Sequence, residues 1–149
     1  MDYDVAIIGC GRVGLPLALA FADSGLRVLG VDNDAALLAT VQDGRMPFAE
    51  PGANELLARL HGAQRLTWSS RAADAAQAES IVITLGTPSF SHIEIDISHV
   101  RGVVDDLLPV LREGHSLILR STVAPGTTEW VAGYIEPVSY THLTLPTKA

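Results

Sequence analysis

Three glycines near the start of the chain have a spacing that suits the binding of phosphate groups. Gly9, Gly11 and Gly14 form a G-x-G-x-x-G pattern, which follows the apolar run of residues 5–8 directly. In this pattern the first glycine permits a tight turn, the second lets a diphosphate approach the backbone, and the third lets a helix pack against the strand. The free N–H groups at the helix start, with the positive end of its dipole, then face the phosphates. The pattern predicts a dinucleotide site.

A carboxylate at the end of the next apolar run strengthens this prediction. Asp32 lies 18 residues after Gly14 (32 minus 14), where a carboxylate accepts hydrogen bonds from the adenosine ribose hydroxyls. A carboxylate here would repel a 2′-phosphate, so the predicted cofactor is NAD rather than NADP. The alternative is that Asp32 caps the following helix, although Asn33 and Asp34 are better placed to do so. The predicted cofactor-binding residues of this region are Gly9, Gly11, Arg12, Val13, Gly14 and Asp32.

The single cysteine and the histidines are weaker candidates for chemistry. Cys10 lies inside the glycine turn, but the sequence places no base beside it and its position in the motif is normally a spacer. We therefore predict that it is not a nucleophile. The histidines share no ligand spacing with cysteines or carboxylates, so no metal site is predicted. These histidines are His61, His92, His99 and His115.

Two threonines follow later apolar runs, at the edge of a parallel sheet where ligands bind. Thr87, after the run of residues 80–85, is expected to bond the cofactor ribose or phosphate, an ordinary Thr-Pro turn being the alternative. Thr122, a further predicted cofactor-binding residue, follows the run of residues 116–120. The hydroxyls of residues 121–128 would line the same crevice or would simply cap a helix.

The elements that must position these residues follow from the alternation of apolar runs with segments of helical periodicity. This alternation predicts an α/β fold, a Rossmann-type doubly wound parallel sheet with helices on both faces. Pro109 should kink or shorten the helix that begins at Ser98. The predicted strands are 3–8, 27–31, 65–68, 80–85 and 116–120, and the predicted helices are 13–24, 34–42, 53–60, 71–77 (capped by Ser70), 98 onward and 127–135.

Composition excludes several classes of protein. A length of 149 residues suits one domain, and the net charge of −7 without a run of Lys or Arg argues against nucleic acid as a partner. No apolar run approaches the roughly 20 residues of a membrane span. The acidic start of the chain is unlike a signal peptide, and one cysteine cannot form an internal disulfide, so a cytoplasmic location is expected.

The end of the chain differs from the rest. Residues 137–149 do not continue the α/β alternation, and they look like the translation of a sequencing adapter. A natural extended tail is the alternative. We predict that residues 1–136 are an NAD-binding Rossmann domain, the incomplete N-terminal domain of a longer enzyme that breaks off after the fifth strand and its helix. His142 and Tyr140, in the predicted non-native tail, are assigned no role.

Four segments together resemble the UDP-glucose/GDP-mannose dehydrogenase family of NAD-dependent nucleotide-sugar 6-dehydrogenases. They are residues 9–18, 50–57, 86–88 and 121–128, in the family's order. The resemblance implies NAD as cofactor and a UDP-sugar as substrate, which is oxidised twice at C6, from alcohol to carboxylate. It also implies that Thr122 is a catalytic-site residue, because it matches the family threonine that orders the catalytic water. Among relatives, the chain looks most like bacterial dehydrogenases of UDP-N-acetylhexosamines (ManNAc or GlcNAc).

The resemblance also implies what this sequence lacks. In the family, the cysteine nucleophile and its lysine, asparagine and glutamate partners lie in later segments, so we expect this chain alone to be inactive. The parent enzyme is expected to be a homodimer or a larger homo-oligomer. Two other functions are alternatives to a nucleotide-sugar dehydrogenase. A dehydrogenase of the 3-hydroxyacid or 6-phosphogluconate type would lack the Glu-Pro-Gly segment at residues 50–52, and a non-catalytic NAD-sensing module would need no segment like residues 121–128.

Overall fold

The computed structural model describes residues 1–86 and 97–136 in full, and beyond these the backbone of two short strands and of the end of the last helix. The strands are β1 (Tyr3–Ile8), β2 (Val28–Val31), β3 (Leu66–Ser69), β4 (Ala78–Ile83), β5 (Ser89–Phe90), β6 (Glu94–Ile95) and β7 (Ser116–Leu119). The helices are α1 (Gly14–Asp23), α2 (Ala35–Gln42), α3 (Ala53–His61), a 3₁₀ helix (Ala72–Gln77), α4 (Ser98–Leu107) and α5 (Thr127–Ser139).

Five strands form one parallel sheet in the order β3-β2-β1-β4-β7, which confirms the predicted Rossmann-type topology. The chain builds outward from β1 through β2 and β3, and then returns to add β4 and β7 on the other side. Ile8 at the end of β1 is therefore in register with Val31 of β2 and with Ile83 of β4. Ligands of open α/β sheets bind at such a switch point, beyond the carboxyl ends of the strands. The separate pair β5 and β6 is antiparallel.

Both faces of the sheet are covered, as predicted. In β1, Val5 and Ile7 point to one face and Ala6 and Ile8 to the other, and all four are buried. A strand buried on both faces is typical of the centre of a parallel sheet and explains its unbroken apolar sequence. One core includes Leu15, Leu19 and Leu57 from α1 and α3, and the other includes Val100, Val104, Leu107, Val131 and Ile135 from α4 and α5.

Three helix ends test the predictions in detail. The helix predicted at residues 71–77 is a 3₁₀ helix, and the prediction that Ser70 caps it is wrong, because its N-cap residue is Arg71, whose side chain makes no capping hydrogen bond. The shortening expected from Pro109 is confirmed, since α4 ends at Leu107. The last helix runs through Ser139, four residues beyond its predicted end, although Pro137 in this extension has no backbone N–H to donate.

No helix in the described part of the chain is long and apolar enough to cross a membrane. The origin of residues 137–149 stays a prediction, and residues 140–149 lie outside the described residues.

An exposed ion pair joins the start of β1 to the segment that enters β2. Asp4 accepts the Arg27 backbone N–H at 2.7 Å and a guanidinium N–H at 2.8 Å. The side-chain bonds from Arg27, followed by the backbone bond, lower the pKa of Asp4 from 3.8 to about 2. Because the pKa is lower in the folded protein, ionised Asp4 stabilises the fold above about pH 4, and this contribution is lost as the pH falls through about 2.

We therefore expect Asp4→Asn to flatten the acid side of the stability profile. Urea denaturation between neutral pH and about pH 2 should show a shallower loss of unfolding free energy in the variant than in the wild type. Asp43→Asn, which removes the carboxylate of another exposed ion pair, controls for the loss of one negative charge. Parallel profiles for wild type and Asp4→Asn would contradict the assignment.

Candidate active site

The glycine turn connects β1 to α1 with the geometry that its spacing predicts. Gly9 has a φ of +96°, and its N–H donates to the Val31 carbonyl at 2.8 Å. A Cβ on Gly14 would lie 1.7 Å from the carbonyl oxygen of Gly9 and 2.4 Å from Oγ1 of Thr84. Thr84 in turn donates from Oγ1 to the Gly9 carbonyl oxygen, so β4 supports the turn from one side. The tight turn at Gly9 and the close packing at Gly14 are thus both present.

The second glycine opens onto free space. A Cβ on Gly11 would meet no heavy atom of the described residues within 4 Å, so a ligand can approach the backbone here without displacing protein atoms. Arg12 and Val13 are exposed, and Val13 is the N-cap residue of α1. Its apolar side chain cannot accept hydrogen bonds from the first N–H groups of the helix. The positive end of the helix dipole therefore faces outward at a place that is accessible to an anion.

Asp32 links this turn to the end of β2. One carboxylate oxygen accepts the Cys10 N–H at 2.8 Å, and the other accepts the Asp34 N–H at 2.9 Å. Asp34 is the N-cap of α2, with its side chain accepting from Ala36 and Leu37 at 3.0 and 3.1 Å. The capping role thus belongs to Asp34 as predicted, whereas the half-buried Asp32 stands at the carboxyl ends of β1 and β2.

A cleft of about 170 Å³ lies next to Asp32. Its floor is formed by the ends of β1, β2 and β4, and its walls come from the 3₁₀ helix region and from α4. The lining as a whole is more apolar than polar and includes the carboxylates of Asp32 and Asp106, which suits an aromatic base attached to a hydroxylated sugar. The lining residues are Ile8, Gly9, Val31, Asp32, Asn33, Ser70, Ala72, Leu85, Val103 and Asp106.

Cys10 is fully buried under the glycine turn. Its Sγ lies 3.6 Å from the Val31 carbonyl oxygen and 3.8 Å from that of Ile7. Burial, with the negative charge of Asp32 as a second cause, raises the pKa of the thiol to about 12. The thiolate is the nucleophilic form, so at neutral pH this residue is a small apolar side chain of the core, in line with its predicted role as a spacer.

We expect Cys10 to resist alkylation in the native protein. Iodoacetamide at neutral pH should modify the thiol only after unfolding in guanidinium chloride, because the native side chain is neither ionised nor accessible. Mass spectrometry of both states measures the effect. Rapid modification of the folded chain would show that the burial is wrong.

The two predicted threonines have different outcomes. Thr87 lies outside the described residues. Thr122 is exposed in the loop between β7 and α5. This loop is tied to the end of β4, since the Arg120 N–H and the Ser121 hydroxyl both donate to the Ile83 carbonyl, at 2.8 and 3.4 Å. The structure therefore brings the Thr122 loop to the same sheet edge as the glycine turn.

Sequence reasoning missed or misjudged several residues of this edge. Thr127, one of the hydroxyls expected in the crevice, is buried and donates to the Ala124 carbonyl at 2.7 Å, so it shapes the loop instead. Thr84 supports the glycine turn, and its polar side chain directly after a buried strand was the available signal. Val103 and Asp106 of α4 gave no signal, because the helix reaches the cleft only through the tertiary fold.

The comparisons with known proteins agree with this geometry. Residues 3–144 match the UDP-glucose/GDP-mannose dehydrogenase family, NAD binding domain. The chain belongs to this family. Membership separates it from the alternative of a 3-hydroxyacid or 6-phosphogluconate-type dehydrogenase.

Individual relatives show what share of a full-length family member this chain covers. UDP-glucose 6-dehydrogenase of Pseudomonas aeruginosa is 38% identical over 128 residues, covering 85% of this chain and 28% of that protein. UDP-N-acetyl-D-mannosamine dehydrogenase of Methanococcus maripaludis is 30% identical over 135 residues, covering 86% and 31%. The structure of UDP-D-ManNAc dehydrogenase from Pyrococcus horikoshii matches with a TM-score of 0.86 at 27% identity, covering 93% and 33%. The chain spans about a third of the length of these relatives.

Metal ligands do not gather in the described part of the chain. Within residues 1–86 and 97–136, no group of three or more His, Cys, Asp or Glu side chains is placed to hold a metal ion. The described residues of this edge offer a helix start that is accessible to an anion, the carboxylates of Asp32 and Asp106, and a partly apolar cleft.

Proposed function

We propose that this chain binds NAD at the glycine turn and that it forms the cofactor half of a nucleotide-sugar 6-dehydrogenase. The observation that carries the proposal is the junction of the turn with Asp32, whose carboxylate accepts the Cys10 N–H at 2.8 Å. This bond holds the Asp32 carboxylate, the proposed ribose acceptor, beside the start of α1, where we propose that the phosphates bind. Membership of the family supports NAD as the ligand.

The parts of the site correspond to the parts of the dinucleotide. The diphosphate would lie over Gly11, where a Cβ would meet no heavy atom of the described residues within 4 Å, and it would accept hydrogen bonds from the N–H groups of Arg12 and Val13. The adenosine ribose would bond Asp32, and the base would enter the cleft between Leu85 and Val103. Thr87 is proposed as a further contact to the ribose or phosphate. A 2′-phosphate would meet the Asp32 carboxylate, which disfavours NADP.

The proposal extends to a longer enzyme of the same family, of which this chain would form one part. Such an enzyme would oxidise a UDP-sugar, with a UDP-N-acetylhexosamine as the favoured class, at C6 to a carboxylate through two hydride transfers to NAD. Thr122 would order the catalytic water at the edge that the glycine turn shares. Relatives named as UDP-N-acetyl-D-mannosamine dehydrogenases support this substrate class. The parent is proposed to be a homo-oligomer, and this chain alone to be inactive.

Calorimetric titration of the 149-residue chain tests the first step. We expect NAD⁺ to bind with one site per chain and NADP⁺ to bind at least about ten-fold more weakly, a difference of roughly 1.4 kcal/mol. Addition of a UDP-N-acetylhexosamine with NAD⁺ should give no NADH. Binding of another nucleotide without NAD⁺ would instead favour a sensing module, and sustained NADH production would refute the inactivity of the chain.

A further inference from the structure

One contact of the glycine turn reaches outside the motif. The Arg12 guanidinium carbon lies 5.2 Å from the centre of the Phe48 ring, which is a cation–π distance. Phe48 belongs to the segment between α2 and α3, and its half-buried ring packs against the core under α1. Two residues 36 positions apart (48 minus 12) are thus held together at the proposed diphosphate site.

The Arg12 charge has an unusual setting. The ion pairs recorded among the described residues use Arg27, Arg45 and Arg59, and none of them includes Arg12. Arg12 also directly precedes Val13, the N-cap residue of α1, and the positive end of the helix dipole disfavours a cation in this region. The Phe48 ring keeps the Arg12 cation in this position, and no carboxylate of the described part of the chain lies within 4 Å of it. The guanidinium is therefore placed to bind an incoming anion.

Phe48 is itself held in place. The Met46 N–H donates to the Asn54 side-chain oxygen at 3.2 Å, which ties the segment to the start of α3. Met46 and Phe48 both pack against the same buried cluster. The ring is therefore anchored on one side and offers a face to Arg12 on the other.

We propose that Phe48 is a positioning residue for the cofactor: its ring holds the Arg12 guanidinium beside the glycine turn, where the guanidinium binds the diphosphate of the dinucleotide. The inference rests on the proposed function. A free arginine side chain loses rotamer freedom when it binds, and an arginine held in advance loses less of it. The planar guanidinium also matches the oxygen pairs of phosphate groups, which a point charge does not.

Titrations of wild type and variants with NAD⁺, and separately with adenosine, test this role. Phe48→Leu keeps the apolar bulk but removes the π face, and we expect it to weaken NAD⁺ binding about two- to five-fold. Adenosine affinity should stay unchanged, because adenosine carries no phosphate. Phe48→Tyr keeps the ring and should bind NAD⁺ like wild type.

A double-mutant cycle separates positioning from a structural effect. Arg12→Gln should weaken NAD⁺ binding about ten-fold, and Phe48→Leu should add nothing further in that background. Thermal unfolding checks each variant, and Phe48→Met, of similar bulk, replaces Phe48→Leu if the latter does not fold. Three results would overturn the inference even if wild type binds NAD⁺: Phe48→Leu loses as much affinity for adenosine as for NAD⁺, the two substitutions have additive effects on NAD⁺ affinity, or Phe48→Leu binds NAD⁺ as tightly as wild type. Failure of wild type to bind NAD⁺ would overturn the proposed function itself.

Discussion

Gly14→Ala should destabilise the protein by at least about 3 kcal/mol, at the upper end of the range for overpacked positions. The added Cβ would lie 1.7 Å from the carbonyl oxygen of Gly9 and 2.8 Å from its carbonyl carbon. Both are backbone atoms of a turn that is fixed by the Gly9 N–H bond to Val31 and by the Thr84 hydroxyl. The clash therefore cannot be relieved by rotating a side chain, and α1 would have to move away from β1. Urea denaturation followed by far-UV circular dichroism measures the loss.

Gly11→Ala is the matched control, because it adds the same methyl group to the same turn. Its Cβ would meet no heavy atom of the described residues within 4 Å, so we expect the unfolding free energy to stay within about 0.5 kcal/mol of wild type. The methyl group would occupy the path of the diphosphate, and NAD⁺ affinity should fall about ten-fold. A stable Gly14→Ala, or a Gly11→Ala that binds NAD⁺ normally, would contradict the roles given to these glycines.

These two glycines show why the fold was predictable from the sequence. The motif is local: six consecutive residues, 9–14, contain the turn, the opening and the packing contact. The strand predicted before them, residues 3–8, has the bounds of β1 in the structure. Strands that are buried on both faces are predicted from runs of apolar residues. A polar residue near the end of such a strand therefore shifts the predicted first or last residue. β4 begins at Ala78, two residues before the predicted start. The prediction missed these two residues because Glu79 interrupts the apolar pattern.

The site was less predictable because its walls come from distant segments. Asp32 could be placed from its distance to the motif, since β1 and β2 are neighbours in the sheet. Asp106 on α4 and Phe48 on the segment before α3 reach the site only through packing of the whole domain. Periodicity assigns such residues to a helix face or a loop, but it does not determine which neighbour that face meets.

Asp32→Ala should abolish the preference for NAD⁺ over NADP⁺ in the 149-residue chain. The carboxylate that would bond the ribose and repel a 2′-phosphate is lost, so NAD⁺ affinity should fall roughly ten- to hundred-fold while NADP⁺ affinity changes little. The variant should also lose about 1–3 kcal/mol of stability, because the Cys10 N–H loses its acceptor. Calorimetric titration with both nucleotides and urea denaturation measure the two effects separately.

Asp34→Ala provides the control, because it removes a carboxylate two residues away that serves only α2 in the described structure. Loss of the N-cap bonds to Ala36 and Leu37 should cost about 1 kcal/mol of unfolding free energy. The ratio of NAD⁺ to NADP⁺ affinity should stay at the wild-type value. A changed ratio in Asp34→Ala, or an unchanged ratio in Asp32→Ala, would show that cofactor selection does not reside in Asp32. Because Asp32→Asn keeps an oxygen acceptor but removes the charge, it should retain more stability than Asp32→Ala while still admitting NADP⁺, which separates charge repulsion from support of the turn.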